Sequence, residues 1–484
     1  MVKTIFATTL LCVVAVLPLA QASTITTQII PLPHPPNGSV LHLADNKQLA
    51  VSGFSQFERW LSVVNLTDYS SRMLPIPDDA QYFSQAKLAG SSSETLVFLG
   101  LGGVSVLSAD GSYAQRIVAS ESIYRVLDKN RLREADFVVD LGSGLSDFLI
   151  PDFQHTHLYR QQVDGSFIHY PLNVSAPMRS WRNSPDYTPR RHFIADVNND
   201  SRQDIVFVAD GKFQLFLQQA DGSFNAEAVV ANWPVSLSTE QEADQRNDAG
   251  RSYNGQNIDT LRDMIDIDGD GIVDLVINRE QLADALERNN SFRIHFGSLT
   301  EQGLSFNAEP DTFITTDTSP IDVVIDDFNA DGRQDFYIPS THFGVGTIIR
   351  VLLRGSANLD IDFYLLSSER QYPQQADFRQ QATIDVSIGN LRYDMPLFKL
   401  ADMQGTGHKS LLVGEGSGQL KLYQHEDKRL FSRRAERFKL ALPRDASRAK
   451  VFDVNGDGKE DLVLPFDSQE AEQQRNQLHL VIMP

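Results

Sequence analysis

Short apolar runs separated by polar turns recur along almost the whole chain. The runs Ile205–Val208, Phe336–Ile338 and Leu462–Leu464 are rich in β-branched and aromatic residues, so they predict strands. Asp164-Gly165 and Asp221-Gly222 lie between alternating apolar residues, a pattern typical of β-hairpins. The hydrophobic pattern therefore predicts an all-β protein.

A nine-residue acidic loop separates two predicted strands at four places in the sequence, residues 196–204, 266–274, 327–335 and 453–461. Each loop has Asp or Asn at positions 1, 3 and 5 and Asp at position 9. Three of the four have Gly at position 6, which suits a sharp turn. The repeated unit is therefore strand, acidic loop, strand.

These loops have the ligand chemistry of Ca²⁺ sites, because Ca²⁺ takes about six to eight oxygen ligands in a tolerant geometry. Alternating side chains direct their oxygens inward, and the carbonyl at position 7 adds a main-chain ligand. The predicted ligands of three to four Ca²⁺ ions are Asp196, Asn198, Asp200, Arg202, Asp204, Asp266, Asp268, Asp270, Ile272, Asp274, Asp327, Asn329, Asp331, Arg333, Asp335, Asp453, Asn455, Asp457, Lys459 and Asp461. The alternative is four Asp-rich turns without metal. An EF-hand is excluded, because position 12 is apolar and lies in a predicted strand.

The repeat is larger than the loop. A third strand, and often an Asp-Gly turn and a fourth strand, follow each loop, and four-stranded repeats of this kind are typical of propeller blades. Degenerate copies place the corners between the first two strands near residues 45, 90, 140, 196, 266, 327, 402 and 453. We therefore predict eight blades, or seven if the first copy is misread. The last repeat has three strands, and residues 24–30 are predicted to supply its fourth and close the ring.

The acidic loops and their flanking strands resemble the FG-GAP/VCBS repeats, a family of calcium-loop propellers that includes the integrin α-chain head. The resemblance covers nearly the whole chain after residue 22, with specific motifs in four copies. It implies one propeller domain over residues 23–484, with Ca²⁺ bound at the residues given above.

The N-terminus predicts export. Lys3 precedes an apolar run from Ile5 to Leu19 and then Ala20-Gln21-Ala22, so a signal peptide over residues 1–22 is expected. The protein is then periplasmic or extracellular, with no transmembrane anchor after cleavage. The single cysteine, Cys12, lies in this segment. The mature chain therefore has no disulfide, and bound Ca²⁺ is the expected stabiliser.

The formal net charge of −20 disfavours nucleic acid and anionic membranes as partners. Four longer connections, residues 175–191, 234–262, 278–290 and 367–396, are predicted to lie on the face opposite the acidic loops, the third of them with a short helix over Glu280–Arg288. Long connections often carry function. The first is the predicted partner contact, through Trp181, Arg182, Tyr187, Arg190 and Arg191. Trp181 has a second interpretation, as a core residue at the blade edge.

Three functions remain open from the sequence. The favoured one is a non-catalytic calcium-binding propeller for protein interaction or adhesion. The alternatives are a glycan-binding propeller and an enzyme acting on a polysaccharide or phosphoester. The sequence has no Gly-x-Ser-x-Gly elbow and no phosphate loop. His155 and His157 are predicted to share one face of a strand, as a metal pair or as a paired surface histidine.

Overall fold

The computed structural model describes residues 25–55, 58–108, 111, 114–126, 132–181, 184–245, 256–282, 288–301, 303–316, 319–341, 345–387 and 392–483. The predicted signal peptide lies outside these residues. None of the described helices has the length and apolar character needed to cross a bilayer.

Eight sheets follow one another in the described chain, and each is one blade of an eight-bladed β-propeller. Their strands pair antiparallel, except that Arg133–Glu134 pairs parallel with Ala80–Lys87. Blade I contains Val40–Leu43, Gln48–Ser55, Glu58–Asn65 and Ser71–Leu74. Blade II contains Ala80–Lys87, Glu94–Gly100, Gly103–Leu107 and Ala114–Ala119, with Arg133–Glu134 at its edge. Blade III contains Val138–Asp140, Ser146–Pro151, Thr156–Gln161 and Phe167–Leu172. Blade IV contains His192–Ala195, Asp204–Ala209, Lys212–Phe216 and Val229–Val230.

The second half of the ring repeats this order. Blade V contains Gln256–Ile265, Asp274–Leu282, Arg288–His295 and Thr312–Thr316. Blade VI contains Val324–Asp326, with Ser319–Pro320 beside it, then Asp335–Thr341, Ser356–Tyr364, Phe378–Ser387 and Arg392–Asp394. Blade VII contains Phe398–Ala401, Ser410–Glu415, Gln419–Tyr423 and Glu436–Lys439. Blade VIII contains Lys450–Phe452, Asp461–Phe466, Gln477–Ile482 and the N-terminal Thr26–Pro31.

Small elements decorate the blades. Two-stranded hairpins are formed by Met178–Trp181 with Ser184–Tyr187, Ser298–Thr300 with Gly303–Ser305, and His425–Glu426 with Leu430–Phe431. The α-helices are Glu240–Gln245 and Val345–Arg354, and the 3-10 turns are Ala44–Asn46 and Ile123–Val126.

The N-terminal strand closes the ring, as predicted. Thr26–Pro31 pairs antiparallel with Gln477–Ile482, and Ile30 lies opposite Leu478. Ile30 is buried with Leu478 and Leu480 in a cluster that also contains residues of blade I. The N-terminal strand therefore covers the edge of Gln477–Ile482, and both ends of the described chain contribute to one sheet.

The core lies between neighbouring blades. Phe292 and Ile294 of blade V pack in one cluster with Phe336 and Ile338 of blade VI. Because inward and outward residues alternate along each strand, both faces of a blade meet another blade. The ring is therefore held by apolar contacts from blade to blade.

In each blade the four main strands are named A to D in chain order. In blade VIII the strands A to C come from the C-terminal part of the chain, and the N-terminal strand Thr26–Pro31 is strand D. The A–B and C–D corners lie on one side of the disc, called here the loop face. The B–C corners and D-to-A links lie on the other side, called here the opposite face. All eight A–B corners fall where the sequence predicts them.

Two predictions about the connections are wrong. Of the predicted helix Glu280–Arg288, residues 280–282 instead continue strand Asp274–Leu282, because they extend the ladder with Gln256–Ile265; residues 283–287 lie outside the described residues. Residues 365–377 form the C–D corner of blade VI and lie on the loop face; only the later part of 367–396 reaches the opposite face. The B–C connection of blade VI is instead the helix Val345–Arg354, which the sequence analysis missed.

Candidate functional site

The four acidic loops all lie at A–B corners on the loop face, in blades IV, V, VI and VIII. They are called loops IV, V, VI and VIII, and the equivalent residues 402–410 are called loop VII. Neighbouring loops are joined by main-chain hydrogen bonds. Gln334 N–H donates to Ile267 O at 2.7 Å, and Lys409 N–H donates to Phe328 O at 3.0 Å. The loops therefore form one continuous segment of the loop face from blade V to blade VII.

The carboxylate at position 1 holds each loop in its tight turn. In loop V, Asp266 accepts main-chain N–H groups from Gly269 at 2.8 Å and Gly271 at 2.9 Å. Both glycines have positive φ, 78° and 83°. In loop IV the same two positions are Asn199 and Ser201, with φ of 58° and 65°. Ser201 therefore adopts a conformation that costs a non-glycine residue about 1–2 kcal/mol.

The aspartate at position 9 is buried in every acidic loop and joins the loop to the end of strand C. Asp274 accepts N–H groups from Ile267 at 2.8 Å and Gly297 at 2.7 Å. The same double acceptance is made by Asp204, Asp335 and Asp461. These side chains are therefore hydrogen-bond centres of the blade, a role that the sequence analysis did not assign to them.

In blade III, which has no acidic loop, another buried aspartate accepts a hydrogen bond from the end of strand C. Asp147 of blade III is fully buried and accepts the Gln161 N–H at 2.7 Å. Arg160 Nε lies 3.3 Å from its other oxygen. The hydrogen bond to strand C is thus kept where the metal-type ligands are missing. The sequence signal for this role is an aspartate at the end of each turn, such as Asp147 in residues 140–147.

Burial raises the pKa of the position 9 carboxyls, and the other carboxylates of each loop raise it further. The pKa of Asp274 and of Asp335 is raised to about 7, and that of Asp204 and of Asp461 to about 6. The main-chain N–H groups oppose this shift without cancelling it. A nearby cation would favour the ionised form.

These shifts predict a pH dependence of the metal-free protein. Between the ordinary value of 3.8 and the raised values, the folded state holds protons that the unfolded state has released. Stability therefore falls as the pH rises through this window. Melts in EDTA from about pH 5 to about pH 8 should show a midpoint lower by several degrees at the alkaline end. Added Ca²⁺ should reduce that loss; a calcium effect independent of pH would contradict the assignment.

Loop V fits a Ca²⁺ ion best. Asp266, Asp268 and Asp274 each offer a carboxylate oxygen, and these oxygens lie within 4.8 Å of one another. The Asp268 side chain is only 3% exposed, so its carboxylate is enclosed by the loop and its surroundings. Crowded carboxylate oxygens are the donor set that Ca²⁺ takes.

A protein cation lies beside this donor set. The guanidinium group of Arg370, from the C–D corner of blade VI, contacts Asp268 Oδ2, and its Nη2 lies 3.9 Å from Asp270 Oδ2. It also stacks over the ring of Phe296 at 4.2 Å. Arg370 therefore offsets part of the carboxylate repulsion in loop V. Sequence reasoning missed it, because it comes from another blade.

In the other three loops the position 5 carboxylates already accept hydrogen bonds from neighbouring side chains of the same loop. The position 3 amides donate to the position 5 carboxylates, from Asn198 to Asp200 at 2.9 Å, from Asn329 to Asp331 at 3.0 Å and from Asn455 to Asp457 at 3.1 Å. At position 7, the side chains of Arg202 and Arg333 contact the same carboxylates in loops IV and VI. An ion there would be held by the oxygens at positions 1, 3 and 5 and the position 7 carbonyl, after these contacts rearrange.

The predicted partner-contact residues lie in the D-to-A link between blades III and IV, on the opposite face. Trp181 ends strand Met178–Trp181; its side chain and the whole of Arg182 lie outside the described residues. Tyr187 is half-buried and packs edge-on against Phe153, with ring centroids 4.6 Å apart. Trp233, in the next link, is half-buried, packs between the rings of Phe213 and Phe306, and donates to Leu304 O at 2.8 Å.

The two arginines of this link differ. The Arg190 side chain is 9% exposed, donates to Ser175 O and Val208 O, and pairs with Glu240. Its contacts are internal, and it holds the link onto blade IV. Arg191 is exposed and contacts Asp263 at 3.2 Å while lying over a phenylalanine ring.

A polar groove of about 630 Å³ lies on the opposite face between blades VI and VII. Its lining includes Gln380, Gln381, Thr383, Asp385, Asp394, Glu415, Lys421 and Arg444. Lys421 Nζ lies 2.8 Å from Glu415, and its hydrogen bond lowers the pKa of that carboxyl. Arg444 Nη2 lies 3.7 Å from Asp394. A carboxyl with a lowered pKa is a poor general acid at neutral pH.

Comparison with known proteins gave distant structural matches. No family model and no curated protein matches the sequence. A lectin of Agrocybe aegerita that recognises non-reducing terminal N-acetylglucosamine has a TM-score of 0.44 and 14% identity, covering 87% of this chain and 95% of the lectin. The Dos1 propeller has a TM-score of 0.43 and 11% identity, covering 94% of both chains. A putative 6-phosphogluconolactonase of Bacteroides fragilis has a TM-score of 0.32 and 10% identity, covering 83% and 98%. At this similarity the likeness concerns the propeller fold alone.

Proposed function

We propose that this chain is an exported, calcium-binding propeller of FG-GAP/VCBS type that acts as a non-catalytic binding module. The observation that carries the calcium part is loop V, where oxygens of three carboxylates lie within 4.8 Å of one another and the Asp268 side chain is only 3% exposed. Export to the periplasm or the cell exterior is supported by the apolar run Ile5–Leu19. Calcium would stabilise the loop face where the chain has no disulfide.

Partner binding is assigned to the opposite face. On blade VI the helix Val345–Arg354 exposes Leu352 and Leu353, at 63% and 79%, and the polar groove lies at the far edge of the same blade. Exposed apolar side chains together with a polar groove on one face are typical of a protein-binding surface. The acidic surface disfavours nucleic acid. A protein partner of interaction or adhesion type is therefore the primary proposal.

A glycan is the second candidate, favoured by the groove itself. Gln380, Gln381 and Thr383 offer amide and hydroxyl groups for sugar hydroxyls. Tyr393, 63% exposed on the neighbouring edge strand Arg392–Asp394, offers a ring on which a sugar stacks.

A groove-blocking variant tests the proposal. Thr383 is exposed on strand D of blade VI, and Thr383→Trp places a bulky ring in the groove. The matched control is Val163→Trp, at a 93% exposed position on the loop face. Wild type and both variants are compared by pull-down from the secreted and periplasmic fractions and on a glycan array. Both variants should melt like wild type.

We expect Val163→Trp to keep the wild-type ligands and Thr383→Trp to lose them. A third variant, Leu353→Asp, separates the two kinds of ligand. Proteins that neither Thr383→Trp nor Leu353→Asp captures support the protein partner, whereas glycan-array signals lost only with Thr383→Trp support a glycan. Equal binding by wild type and all three variants would contradict the assignment to the opposite face.

A further inference from the structure

Blade VII lacks the oxygen ligands of the acidic loops. Loop VII has Gln404, Thr406 and Ser410 where the others have Asp or Asn. Its remaining carboxylate, Asp402, accepts three main-chain N–H groups of its own loop, at 3.1, 3.1 and 2.6 Å. This corner is therefore unsuited to Ca²⁺.

Two histidines and an aspartate meet at the same place. His408 occupies position 7 of loop VII, and His425 begins the small hairpin at the C–D corner of the blade. Their ring centroids are 4.6 Å apart. Asp427 follows in the hairpin turn, with Oδ1 3.8 Å from His425 Nε2. One ligand atom from each of the three residues lies within 4.8 Å of the other two.

The buried histidine has a ring nitrogen that the described residues leave unsatisfied. The His425 side chain is 10% exposed, and its Nδ1 has no hydrogen-bond partner within the described part of the chain. Buried polar atoms in native proteins have a partner, an ordered water or an ion.

The donor set specifies the class of metal. Two imidazole nitrogens and one carboxylate oxygen suit Zn²⁺, which takes nitrogen and oxygen ligands at about 2.0–2.2 Å in tetrahedral geometry. Ca²⁺ takes oxygen ligands and is disfavoured. Asp427 is 94% exposed, so its side chain is free to move toward the ion. The fourth ligand position is open to water.

We propose that His408, His425 and Asp427 form a zinc site that ties the A–B corner of blade VII to its C–D hairpin. In the acidic loops the aspartate at position 9 links the A–B corner to the end of strand C. In blade VII that position is Ser410, which accepts the His425 N–H at 3.3 Å and so keeps the hydrogen bond to the end of strand C. The metal would add a second connection between the two corners. This proposal does not depend on the function of the opposite face.

The test is zinc titration of the untagged mature protein, stripped with EDTA and then saturated with Ca²⁺ so that the acidic loops are occupied. Calorimetry and a thermal melt are recorded with ZnCl₂ alone as the probe. Wild type should bind one equivalent of zinc and melt at a higher temperature with it. His408→Gln and His425→Gln should lose both effects, and Asp427→Asn should weaken the affinity.

His157→Gln is the matched control, because His157 belongs to the other histidine cluster and lies 3.0 Å from His169. It should keep the full zinc response. Asp427→Asn alters a residue that is 94% exposed, so it decides the matter if the histidine variants fail to fold. The proposal is overturned if wild type shows no saturable zinc binding, if His408→Gln keeps it, or if His157→Gln alone loses it.

Discussion

Ile30→Asp is expected to abolish the cooperative unfolding of the wild type at ordinary temperatures. Ile30 is 1% exposed in the strand that completes blade VIII, where it lies opposite Leu478. Truncating a buried isoleucine to alanine costs about 2–5 kcal/mol, through lost burial and a residual cavity. An aspartate adds an unpaired buried charge, which costs still more. That total is comparable to the whole stability of many domains.

The neighbouring residue provides the control. Ile29 lies in the same strand and is 49% exposed, so Ile29→Asp places the same charge on the solvent side. Its midpoint in urea should stay close to that of wild type, while Ile30→Asp should unfold at much lower urea or fail to fold. Equal midpoints for the two variants would show that this strand does not close the ring.

Asp274→Ala and Asp270→Ala are expected to destabilise the protein in different ways, although both change loop V. Asp274→Ala removes the acceptor of the Ile267 and Gly297 N–H groups. Each buried donor left without a partner costs about 1–3 kcal/mol. The loss should therefore appear in EDTA as well as in Ca²⁺.

Asp270 is a metal-ligand candidate with a more exposed side chain, whose described role in the loop is to accept the Ile272 N–H at 2.8 Å. Asp270→Ala should lower the melting temperature chiefly in Ca²⁺ and should remove one calcium equivalent. The measurement is a set of melts of both variants in each condition. The two roles would be reversed if Asp270→Ala lost as much stability in EDTA as in Ca²⁺, or if Asp274→Ala lost stability only in Ca²⁺.

The architecture was predictable because each blade repeats a local pattern. Strand, turn and strand recur with the same spacing, and this located all eight A–B corners, including degenerate ones such as 140–147. Ring closure was also predictable, since the last repeat lacked a strand and residues 24–30 had strand character. The same repetition located the oxygen atoms of the four acidic loops.

Features made by distant residues were not predictable. Arg370 reaches loop V from another blade, and the groove is lined by separate segments of blades VI and VII. At Glu280 the helix-forming composition favoured a helix, but pairing with Gln256–Ile265 outweighed it, as tertiary context often does. The helix Val345–Arg354 was not predicted from the sequence.

The most direct test of calcium binding is a thermal melt of the mature protein in millimolar Ca²⁺ and in excess EDTA, with calorimetric counting of the sites. A ligand at about 100 times its Kd adds about 2.7 kcal/mol of stability per site. The account predicts a clearly higher midpoint in Ca²⁺ and three to four bound ions per chain. Identical midpoints together with no binding heat would contradict it and leave the acidic loops as metal-free turns.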